Sequence, residues 1–249
     1  MTTTEVEPRV SQVLRADARA AARTLGTVTF VGVLAGWFTA GVLSRLAMFV
    51  LIELNPGADG LTSDDGFEMG RFTLSGSLNL LLLVGTLLGV LGAGVYVALR
   101  RLAIGPAWFR VLSMSLGAGT VVGSQIIHAG GVDFALLGPL WLAVALFVAV
   151  PAVFVALVAL VVERLLAREE PLPWWVAVLG LAAWVAAFPL LPLLAALAAG
   201  WLTLRTLRGS ESGRRLLSSP IGPWGARLVL AVVFALAVVD IARDVRVLT

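Results

Sequence analysis

Long apolar runs constrain this chain more than any other feature. Residues 74–99, 134–162 and 174–204 are each almost wholly apolar and exceed the roughly 20 residues that cross a bilayer as a helix. Charged residues make up 13% of the chain and hydrophobic ones 59%, whereas a soluble domain carries about 25% charge. A fold with so little polar surface cannot face water on all sides. The sequence predicts an all-α, polytopic transmembrane bundle: a cytoplasmic segment at 1–24, then a single bundle over 25–249.

Helix-period apolarity and breakers divide the bundle. A short surface helix is expected over Val10–Arg23, then spans near 25–52, 74–99, 108–127 and 134–162. The last span covers about 227–239. The run 174–204 is longer than one crossing requires and contains Phe188-Pro189-Leu190-Leu191-Pro192, which reads as a kink or as a turn between two short spans. Arginine is the only basic side chain besides His128, and basic residues mark cytoplasmic loops. Two crossings over 174–204 leave the arginines mostly inside, with Arg71, Arg243 and Arg246 outside. One crossing spreads them more evenly. Seven spans are therefore favoured and six remain possible, in a multi-pass protein of a bacterial plasma membrane with a cytoplasmic N-terminus.

Small residues recur at helical spacing. Gly32, Gly36, Ala40 and Ser44 form one stripe, Gly85 and Gly89 a second, and Ser115, Gly119 and Gly123 a third. In lipid such stripes let helix backbones approach closely. Their first reading is intramolecular packing, their second an oligomer or partner contact.

Candidate ligand-binding residues collect toward the outer face. Arg45 lies within the first span, where a charge exposed to lipid is costly, and the extracellular loop at 53–73 carries Glu53, Asp59, Asp64, Asp65 and Glu68. Asn79, Ser124, Gln125, His128 and Asp133 sit at the same level, joined by Asp240 if there are seven spans. This set reads either as an outward pocket, with Arg45 holding an anion or a loop carboxylate, or as a clamp pinning the loop to the bundle. Asp64, Asp65 and Glu68 suit a hard divalent cation. Asp65 followed by Glu68 equally resembles a helix capping box. Whether a metal binds stays open.

Several chemistries are excluded or unsupported. Without lysine there is no phosphate-binding P-loop and no Schiff base. Without cysteine there are no disulfides or thiolate sites. His-Glu-x-x-His, Gly-x-Ser-x-Gly and Asp-x-x-Asp patterns are absent, so nothing supports an enzyme, and no cofactor or nucleic-acid partner is predicted. The segments SRLAMFVL, TSDDGFEMGRFTLSG and DFALLGPLWLAVALF resemble those of uncharacterised multi-span membrane proteins of high-GC, actinobacterial type. The likeness covers about residues 40–165 and implies the class of protein but no activity. The leading expectation is a protein that binds or passes a small ion or solute. The alternatives are an accessory or scaffold subunit that packs against a membrane partner, and a metal-dependent enzyme acting on a lipid phosphate.

Overall fold

The computed structural model describes residues 6–60, 62, 66, 73–168, 170, 172–186, 188 and 221–249, with backbone alone at 6–17, 132, 133, 186 and 221. The elements among them are helical. The first helix runs unbroken as α1 (Val6–Gly36), a π-helical segment (Trp37–Leu43) and α2 (Ser44–Leu54). The surface helix and first span expected from sequence are thus one rod, because the alanine-rich stretch before Leu25 contains no breaker. The rod ends at Asn55, after which Pro56, lacking an amide hydrogen, opens a short 3₁₀ turn.

The chain returns through α3 (Leu74–Leu78), a second π segment (Asn79–Val84) and α4 (Gly85–Leu99). Then come α5 (Ala107–Ile126), α6 (Val132–Leu136), α7 (Leu140–Leu166), α8 (Trp174–Ala186) and α9 (Ile221–Leu248). The single span expected over 134–162 is broken at Gly138-Pro139: proline cannot donate to the helix and pushes its predecessor out of helical geometry. The last helix extends beyond 227–239 at both ends, its terminal charges continuing the helix rather than stopping it.

Among the described residues, four helices are long and apolar enough to cross a membrane: Ala18–Leu54, Leu74–Leu99, Leu140–Leu166 and Gly222–Leu248. The serines and glycines of α5 leave it outside that set, and α8 is a shorter apolar helix. The remainder of the run 174–204, with its proline pair, lies outside the described residues.

Helix α1 is central, packing on α4, α8 and α7, while α7 also packs on α5, and α9 on α5. Val28, Val31 and Ala35 meet Ala93, Tyr96, Val158 and Val162 in one core cluster. Leu51, Ile52, Ile127, Phe134, Leu137 and Ala143 form another toward the opposite end. The exterior is apolar too, with Trp141 71% and Leu228 67% exposed, as suits a surface in contact with hydrocarbon rather than water.

Polar staples gather at one end. The Arg23 guanidinium donates to the Leu172 carbonyl, Arg227 Nε donates to Leu102 O at 2.9 Å, and Arg100 pairs with Glu163 at 3.1 Å. The C-terminal ends of α4 and α7 therefore lie with the starts of α8 and α9. Arg19, Arg101, Arg110, Arg164 and Arg168 belong to the same end. Arg45, Arg243 and Arg246 lie toward the other.

Candidate functional site

The bundle is held by close backbone crossings. A β-carbon on Gly89 would lie 2.7 Å from Val33 Cα and 2.8 Å from the Gly32 carbonyl carbon, and one on Gly36 would lie 3.1 Å from Gly89 Cα. Gly32 and Gly36 thus meet Gly85 and Gly89, one glycine pair seated against the other. Gly119 and Gly123 perform the same service for α7, where added β-carbons would fall 2.6 Å from Val148 O and 2.8 Å from its side chain. Gly26 against Gly180 and Ala177 makes a third crossing, between α1 and α8, which the sequence stripes did not reveal.

Beyond Gly36 the stripe changes phase. A π turn bonds five residues back instead of four, so the seam passes to Gly41, buried against Leu81, instead of to Ala40. The two π segments pack on one another. Interhelical hydrogen bonds flank the crossings: Trp37 Nε1 donates to Thr86 Oγ1 at 2.9 Å, and Trp184 Nε1 to Thr29 Oγ1 at 3.0 Å.

The structure describes part of the set predicted for the outer site. Arg45 is half-buried just after the first π segment, with Nε and Nη2 shielded. Asn79 opens the second π segment and is exposed. Gln125 is exposed and donates to Ser124 Oγ at 3.3 Å. His128, also exposed, donates from Nδ1 to Ile126 O at 2.8 Å. Asp240 is exposed on α9. Asp133 lies in α6 with its side chain undescribed, and Asp64, Asp65 and Glu68 lie outside the described residues. What the structure adds at this end is Asn55. Its Oδ1 accepts from Gly138 N at 3.0 Å and its Nδ2 donates to Leu51 O at 2.8 Å, tying the end of α2 to the turn before α7.

A concavity lies at the opposite, arginine-rich end. It is an open cleft of about 690 Å³ between α4, α5 and α7. Its walls are Val111, Leu112, Met114, Ala156, Ala159 and Leu160, and its mouth carries Arg100, Arg110, Arg164 and Trp108. Glu163 is the one carboxylate on the lining among the described residues, and it is engaged: Tyr96 Oη donates to its Oε1 at 2.9 Å and Arg100 Nη1 at 3.1 Å. Ser115 is buried at the apolar side, 6% exposed.

The helix ends explain this clustering. Arg100 continues the last turn of α4, Arg110 occupies the first turn of α5, and Glu163 and Arg164 sit in the last turn of α7. Sequence reading used these arginines only as markers of sidedness. The missed signal was that three helix ends, adjacent in space, each bring a guanidinium. No family model, no curated protein and no solved structure matches the chain.

Proposed function

We propose that this chain is an integral membrane protein that acts by binding an anionic ligand in the cleft at its arginine-rich end. The supporting observation is the cleft itself: among the described residues, three guanidinium groups line an apolar trough whose single carboxylate is already compensated by Arg100 and Tyr96. Convergent cations on apolar walls favour a ligand with negative charge and some hydrocarbon character.

The rule that basic residues stay inside supports a cytoplasmic position for this end, and for the N-terminus with it, in a protein of a bacterial plasma membrane. Helices α8 and α9 both start there, so the chain between them has to return to that side. That requirement favours two crossings over 174–204, ahead of the last helix, and seven in all.

The test is thermal unfolding of purified protein titrated with inorganic phosphate, glycerol phosphate and an alkyl phosphate. A ligand that binds only the folded state raises its stability by about 2.7 kcal/mol at a hundred times Kd. A rise in wild type that Arg110→Gln/Arg164→Gln loses supports the reading. Equal shifts in both proteins, or none with any anion, sink it.

A second reading keeps the outward pocket, binding or passing a small ion or solute. In its favour, Arg45 directly follows one of two mutually packed π segments, and such segments recur at functional sites. If an Arg45→Gln variant that stays folded still responds to every ion added, that pocket is not the site.

A further inference from the structure

We propose that the ligand of this cleft is an acidic phospholipid, with its phosphate among Arg100, Arg110 and Arg164 and an acyl chain along the apolar floor. The inference rests on reading the cleft as an anionic-ligand site and goes further by naming the class.

The observation that extends the reading is that the apolar floor of the cleft runs onto the exposed apolar exterior of the bundle. An inorganic anion held by the arginines would leave that floor uncovered.

The walls fit the remainder of a lipid. Val111, Met114 and Ala159 line the cleft below the arginines. Leu112 and Leu160 continue onto the exposed apolar exterior, so an acyl chain can leave the cleft without meeting polar surface. Trp108 at the mouth is 67% exposed, the position of an indole at headgroup depth. Charge decides between lipid classes. Among the described residues the mouth has an excess of cations over the single Glu163, which disfavours the ammonium of a zwitterionic headgroup and favours one with net negative charge.

The test is native mass spectrometry of the full chain in detergent, titrated with phosphatidylglycerol, phosphatidylcholine of the same acyl chains, and glycerol phosphate. Wild type is compared with Arg110→Gln/Arg164→Gln, checked for unchanged helical content. Phosphatidylglycerol is expected to bind roughly tenfold more tightly than phosphatidylcholine, and to lose about that factor in the double arginine variant. Equal binding of the two lipids overturns the proposal. Glycerol phosphate binding as tightly as phosphatidylglycerol also overturns it, but leaves the anion-binding reading standing. Binding of every ligand that ignores the arginine substitutions removes both.

Discussion

Gly85 faces Gly36 so closely that a β-carbon on Gly85 would lie 3.1 Å from the Gly36 carbonyl oxygen and 3.0 Å from the Trp37 ring. The contact is backbone on backbone, so neither partner can rotate away. Gly85→Val is expected to destabilise the bundle by about 1–3 kcal/mol through overpacking. Gly94, on the same helix with nothing near its absent side chain, is the control. Gly94→Ala should be neutral or stabilising by up to about 1 kcal/mol, since glycine costs helix stability. Unfolding of both variants in mixed micelles checks this, and equal losses would contradict it.

The Trp37–Thr86 hydrogen bond spans the same crossing. A double-mutant cycle with Trp37→Phe and Thr86→Val should return a coupling of about 0.6 kcal/mol, the usual size for such bonds in membrane bundles. Strict additivity would mean that the bond does not form in lipid.

Glu163 supplies a prediction with a definite sign. It holds Arg100 at 3.1 Å but is itself half exposed, so the pair contributes at most about 1 kcal/mol to stability. Glu163→Gln removes a negative charge from the cleft and releases Arg100 toward the mouth. Affinity for an acidic ligand should rise by roughly fivefold, from about 1 kcal/mol per added net charge, while the melting temperature hardly moves. A fall in affinity would show that Glu163 positions Arg100 for the ligand.

The chain's lack of cysteine makes its sidedness directly measurable. With an impermeant maleimide on intact cells, Gly57→Cys and Thr249→Cys are expected to react, and Arg101→Cys only after permeabilisation. Should Thr249→Cys behave like Arg101→Cys, the seven-span arrangement falls.

Much of the fold was legible because apolar length and small-residue spacing are one-dimensional signals. The runs at 74–99 and 134–162 mark helices, and the Gly32/Gly36 and Gly85/Gly89 repeats mark faces that the structure seats together. The π segments were not legible. Nothing in Trp37-Phe38-Thr39-Ala40 announces an added residue per turn, yet it moves the seam from Ala40 to Gly41. The cleft was hidden for a different reason. Arg100, Arg110 and Glu163 lie on three helices, and only the packing of α4, α5 and α7 brings them to one mouth. Attention fell instead on the acidic residues at 59–68, which cluster in sequence.

The most direct test of the account is photocrosslinking with an acidic phospholipid that carries its photoreactive group near the headgroup, followed by peptide mapping. The cleft predicts adducts concentrated on 107–115 and 156–164, competed by unlabelled phosphatidylglycerol and lost in Arg110→Gln/Arg164→Gln. Adducts spread evenly over the bundle, or centred on 44–54 around Arg45, would contradict it.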